Sequence, residues 1–155
     1  MAQRRGIRKH KIFVSLGLIL VIFFGVTQLY YAFFSQKANI KKTVLKTKKS
    51  LEVGDIRGFL SFLSKDFFDN HGLNHQQVEE GLKELFREFD GIKINVTSQK
   101  IRVNGESATD SLGAIVIVKR GGEQGFLLGS FVQPAPVKVN LMKEKGEWKV
   151  KRVEW

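Results

Sequence analysis

The stretch from Ile12 to Phe34 constrains this chain more than any other. It reads IFVSLGLILVIFFGVTQLYYAFF, twenty-three residues without Asp, Glu, Lys, Arg or His. A helix rises 1.5 Å per residue, so about 20 apolar residues cross a hydrocarbon core of roughly 30 Å. The run therefore predicts a transmembrane helix over 12–34, with a little length to spare for tilt. Ser15, Thr27 and Gln28 fit a helix flank or end, and Tyr30 and Tyr31 suit the membrane–water interface. The alternative reading of such a run is a core helix buried in a globular protein.

Charge follows the same division. The formal net charge is +11, a value that suggests a nucleic-acid binder until it is located. Arg4, Arg5, Arg8, Lys9 and Lys11 precede the apolar run; Lys37, Lys41, Lys42, Lys46, Lys48 and Lys49 follow it, and no acid lies among them. These eleven cations account for the whole excess, so the chain from Ser50 to Trp155 is neutral. The basic flanks, with Tyr30, Tyr31, Lys37, Lys41 and Lys42 nearest the bilayer, are thus a membrane-interface feature. Each cation near an anionic surface is worth about 1 kcal/mol. Nucleic-acid binding needs a basic face on the domain itself and is not expected. There is no cysteine, which excludes disulfides, thiol chemistry and Cys-ligated metal.

The segments expected are a basic tail (1–11), the membrane helix (12–34), a juxtamembrane amphipathic helix (35–52) and the remainder of one domain (53–155). The apolar run exceeds the usual core of a cleaved signal peptide, and its exit, YYAFFSQKA, has no A-x-A-like site. An uncleaved signal anchor is expected. Both flanks are basic, so orientation rests on the short tail staying inside. This places the N-terminus in the cytoplasm and the domain outside the cytoplasmic membrane.

Ile40, Val44, Thr47 and Leu51 fall on one stripe of the juxtamembrane helix, which is expected to stop at Gly54 with Asp55 capping the next. Ile56, Phe59, Leu60 and Leu63 give a second stripe, running on into 64–69. Asn74 and Gln77 form a capping box for a third helix, with Val78, Leu82, Leu85, Phe86 and Phe89 on its inner face. From Ile92 onward the pattern is strand-like, broken by Asn104-Gly105, Gly121-Gly122 and Lys145-Gly146. The run Ala114–Val118 predicts a strand covered on both faces. Pro134 and Pro136 must sit at a bulge, edge or break.

Three helices followed by about four mostly antiparallel strands is an α+β order. Leu51-Glu52-Val53-Gly54-Asp55-Ile56, Phe62-Leu63-Ser64-Lys65-Asp66-Phe67 and Gly146-Glu147-Trp148-Lys149-Val150 resemble the corresponding pieces of the nuclear transport factor 2-like superfamily. That superfamily also holds SnoaL-like cyclases and ketosteroid isomerases. The resemblance covers roughly 38–155. It implies a cone, in which a curved sheet wraps helices around a pocket.

Catalytic members of that superfamily use a cavity carboxylate as general base, sometimes beside a Tyr. The chain's only tyrosines are Tyr30 and Tyr31, so the isomerase-type Tyr is missing. The candidate acid–base residues are Asp66, Asp69, His71 and Asp110. His75 lies four residues beyond His71, but Gly72 and the helix start at Asn74 separate the two, so no metal site is expected. The plainer reading of 66–75 is a solvated loop with capping Asp and Asn residues. No phosphate loop, nucleophile elbow or dinucleotide fingerprint occurs, and no cofactor is expected.

The reading that results is a single-pass bacterial envelope protein. Its domain binds a partner protein or an apolar ligand without catalysis, in contact with membrane lipids and an envelope protein or its own copy. Small proteins of this build resemble accessory subunits of envelope machines, including the inner-membrane scaffold subunit of type IV secretion systems. The alternatives are a SnoaL- or isomerase-like enzyme acting on a membrane-derived substrate and a lipid-binding module.

Overall fold

Ile40 is completely shielded from solvent, packed with Leu63, Phe67, Ala108, Leu141, Trp148 and Val150 in the core. The computed structural model in which it sits describes residues 22, 27, 28, 31 and 34–155. The expected tail (1–11) and most of the expected span, with Tyr30, lie outside the described residues. Ile22, Thr27, Gln28, Tyr31 and Phe34 are helical. Among the described residues no helix is long and apolar enough to cross a membrane. The chain divides after Gln36, and residues 37–155 form one compact unit.

Helix α1 covers 34–52. Ile40, Val44, Thr47 and Leu51 lie on its inner side, and the Thr47 hydroxyl is absorbed by the carbonyl of Thr43 at 2.9 Å. Lys37, Lys41 and Lys42 stand exposed on it. Gly54 ends the turn with φ +72°, a left-handed conformation that glycine adopts without strain. Asp55 caps α2 (Ile56–Ser61) by accepting from the Gly58 amide at 2.8 Å.

Here the fold departs from the sequence reading. Helix α2 stops at Ser61, and 63–69 is a strand, β1 (Leu63–Asp69). The stripe ending at Leu63 fits a helix or a buried strand, because short apolar runs do not separate the two periods. Long-range pairing decides it: β1 lies parallel to the last strand, with Leu63 opposite Val150 and Asp69 opposite Val153. Helix α3 (His75–Glu88) starts with the expected capping box, Asn74 and Gln77 each bonding the other's backbone at 3.0 Å.

Five further strands follow: β2 (Gly91–Asn104), β3 (Ser107–Arg120), β4 (Glu123–Leu128), β5 (Ala135–Glu144) and β6 (Glu147–Glu154). The sheet thus has six strands rather than about four, in the order β1-β6-β5-β3-β2. Strand β3 holds the centre. Its first half pairs with β5 and its second half with β4 along the same edge, so 125–142, long for one strand, is divided between two. The break between them contains Gly129 at φ +66°, where a Cβ would stand 2.7 Å from the Ala114 carbonyl oxygen. Pro134 sits in that break and Pro136 near the start of β5. The turns at Gly105, Gly121-Gly122 and Lys145-Gly146 have the positive φ that such short connections need.

Candidate functional site

One face of the sheet, α1 and α3 enclose a cleft of ≈ 620 Å³. Every strand contributes to its wall, which a six-stranded sheet achieves only by curving. The register explains which side chains do so. Val116 pairs with Ile94 and Leu128, Leu112 with Val137, and Val139 with Val153, and all of these face inward. Strand alternation puts Leu112, Ala114 and Val116 on the same side of β3. From α1 come Val44, Thr47, Lys48 and Leu51, and from α3 come Gln77, Val78, Gly81, Leu82 and Leu85. No residue of α3 is fully buried, although the helix is strongly amphipathic. Its apolar stripe therefore looks largely onto the cleft, with Val78 also packed against the core.

Polar atoms contribute almost nothing to this wall. Lys48 is turned to the rim, where its Nζ pairs with Glu52 Oε2 at 2.8 Å. Glu52 Oε1 in turn accepts the Ile94 amide at 2.9 Å, which ties the end of α1 to β2. Burial pushes the Glu52 carboxyl up, but the Lys48 ammonium and the Ile94 amide outweigh it and hold the carboxyl below its ordinary value. At another part of the rim stands Trp155, half exposed, its ring 5.3 Å from that of His71.

The candidate residues separate. Asp66 is exposed on β1. Asp69 ends β1 in the cavity wall and is 3% exposed. Its Oδ1 accepts the His71 amide at 2.9 Å and the Leu73 amide at 2.7 Å, closing the 69–74 turn; its Oδ2 is buried and has no partner. His71 is turned to Trp155, whereas the ring of His75 approaches the Leu60 carbonyl at 3.4 Å. Asp110 lies on the inward face of β3, opposite Ile101 and Val139, and is fully buried without lining the cleft. Gln99 Nε2 donates to its Oδ2 at 2.7 Å, while Oδ1 has no partner. Burial raises the Asp110 pKa, only partly countered by the Gln99 bond. Among the described residues no group of three His, Asp or Glu side chains could hold a metal ion.

Asp69 and Asp110 thus belong to one side of the domain, but neither presents a free oxygen to the cleft. Sequence reasoning missed Trp155, Lys48 and Gly81 as wall residues. The spacing Val78-Gly81-Leu82-Leu85 carried the signal for Gly81, since it places a glycine within an apolar stripe.

The fold is shared with solved structures. A candidate scytalone dehydratase from Novosphingobium aromaticivorans superposes with TM-score 0.68 at 17% identity, over 78% of this chain and 83% of that one. An NTF2-like protein with a cystatin-like fold from the same organism gives 0.64 at 13% identity, over 80% and 82%. A candidate dehydratase of the NTF2-like family from Streptomyces avermitilis gives 0.66 at 13% identity, over 77% and 94%. The chain has the α+β fold of these nuclear transport factor 2-like proteins. No family model and no curated protein matches its sequence. At such identities the likeness establishes fold and leaves function to the site.

Proposed function

We propose that this chain is a membrane-anchored binding protein whose cone-like domain takes up an apolar ligand without transforming it. The observation that carries the reading is the cleft of ≈ 620 Å³ with an apolar wall, beside which both buried carboxyl groups are covered. A general base must reach the proton it removes, and Asp69 Oδ2 and Asp110 Oδ1 have no open path to one. An unpaired polar ligand group would lose its hydrogen bonds to water on entering. A hydrocarbon gains about 0.8 kcal/mol per buried methylene, so about ten methylenes give about 8 kcal/mol before the cost of association.

The apolar run at 12–34 and its basic flanks supply the anchor in this reading. The domain then stands outside the cytoplasmic membrane of a bacterium, within reach of lipid and of an envelope partner. A palmitic acid carrying a diazirine, photolysed with the full chain in its native membrane, tests the cleft. The expected result is label on peptides of α3 and on Leu112–Val116. Label confined to other segments would remove the reading.

A second reading is favoured by the unpartnered Asp69 Oδ2 and by the dehydratases among the structural neighbours. A small shift of the 69–74 turn would uncover that oxygen as a general base for an apolar substrate. Turnover of such a substrate by the wild type but not by Asp69→Asn, with equal stability of the two, would favour it over the first.

A further inference from the structure

Gly81 lies in the middle of α3, where glycine disfavours helix relative to alanine. Such a residue is usually explained by a neighbour that leaves no room for a side chain. Here there is none, since a Cβ at Gly81 would meet nothing within 4 Å. Gly81 nevertheless stands at i+3 from Val78 and i−4 from Leu85, on the stripe that walls the cleft, and is itself a wall residue. The space left open at Gly81 therefore belongs to the cleft.

We propose that Gly81 is a ligand-contact position, where the hydrocarbon chain of an amphiphile lies directly against the backbone of α3. This rests on the apolar-ligand reading and names the ligand class. At roughly 30 Å³ per water-sized group, ≈ 620 Å³ holds about twenty such groups, the size of one long acyl chain. The wall offers almost no polar surface to receive a head group, so that group stays in water at the rim, where Lys48 and Trp155 stand. A side chain at position 81 would occupy volume that the acyl chain needs, whereas the ligand-free fold would gain from it.

The test compares the wild type with Gly81→Leu and Gly81→Ala, each as the full chain in its native membrane. The probe is palmitic acid carrying a diazirine, and label is mapped by peptide. Gly81→Leu is expected to reduce labelling of the α3 and Leu112–Val116 peptides at least fivefold, with labelling elsewhere in the chain unchanged. Gly81→Ala is expected to reduce it by a smaller factor and to raise the melting temperature of the ligand-free protein by about 2–5 °C. Cleft labelling unaltered by Gly81→Leu, or a lowered melting temperature in Gly81→Ala, would overturn the assignment of Gly81 while leaving the apolar cleft standing. Wild-type protein unlabelled on both cleft peptides would overturn both.

Discussion

Gln99 Nε2 donates to Asp110 Oδ2 at 2.7 Å, and the other oxygen of the same fully buried carboxyl accepts nothing. One hydrogen bond from the edge strand thus supports a group that would otherwise carry charge in an apolar layer between Ile101 and Val139. Burial raises the Asp110 pKa above its ordinary 3.8, so the folded state binds this proton more tightly than the unfolded chain does. The stability linked to it is complete below about 3.8 and is lost as pH rises through the folded value. Asp110→Asn removes that loss. The variant should be more stable than the wild type by about 1–2 kcal/mol at pH 7 and lose the advantage toward pH 4, in denaturant midpoints measured across that range.

Glu52 carries the opposite sign. Its carboxyl is held below the ordinary 4.5, so its contribution is present above that value and lost as pH falls through the folded pKa. Glu52→Ala leaves the Ile94 amide and Lys48 without their acceptor and should cost about 1–2 kcal/mol at pH 7. Glu52→Gln keeps the amide bond and should cost less than half as much. Equal losses in the two variants would place the effect in packing rather than in the tie between α1 and β2.

The turn after β1 hangs on one carboxyl oxygen. Asp69→Ala leaves the His71 and Leu73 amides unpaired and should destabilise the domain by about 2–4 kcal/mol. Asp69→Asn retains an oxygen at the Oδ1 position and should stay within about 1 kcal/mol of the wild type. Chemical denaturation of the three proteins measures the difference. An Asn variant as weak as the Ala variant would mean that the unpartnered Oδ2, not the turn, is what matters.

Much of the fold was legible where the local signal and the tertiary pairing agree. The stripe Ile40-Val44-Thr47-Leu51, the cap at Asp55, the Asn74–Gln77 box and the three glycine-containing hairpin turns all stand where their chemistry puts them. Strand β1 was hidden because its identity depends on β6, more than eighty residues away, and not on its own pattern. Pro134 and Pro136 marked an interruption ahead of β5, but not that β4 and β5 part because both must use one edge of β3. The site was less legible still. Proximity in sequence grouped Asp66, Asp69, His71 and His75, but strand alternation sends Asp66 outward and Asp69 inward. The wall residues that define the cleft are spread over nine elements, and nothing in a linear pattern joins them.

The two tryptophans provide a direct optical readout of the cleft. Trp148 is 5% exposed in the core, whereas Trp155 is 49% exposed at the rim beside His71. An acyl chain entering the cleft should exclude water from Trp155 and leave Trp148 unaffected. Addition of palmitate to the full chain should therefore shift the emission to shorter wavelength, and Trp155→Phe should abolish the shift. Trp148→Phe should preserve it if the domain stays folded, which the far-ultraviolet circular dichroism reports. A shift surviving in Trp155→Phe would place the ligand away from the rim.

Orientation determines which ligands and partners the cleft can meet. The chain has no cysteine, so Glu147→Cys, on the exposed side of the β5–β6 turn, introduces its only thiol. Glu147 pairs with Lys149 at the surface, and its loss should leave stability within about 0.5 kcal/mol of the wild type. Intact cells treated with a membrane-impermeant maleimide should label the variant as fully as lysed cells do, because the short basic tail is expected to stay inside and the domain to cross. Under that arrangement the acyl chains reaching the cleft come from the outer leaflet or from carriers in the envelope. Labelling that requires lysis would put the domain in the cytoplasm, with ligands drawn from the inner leaflet, and would end the envelope reading while leaving the cleft and the role of Gly81 intact.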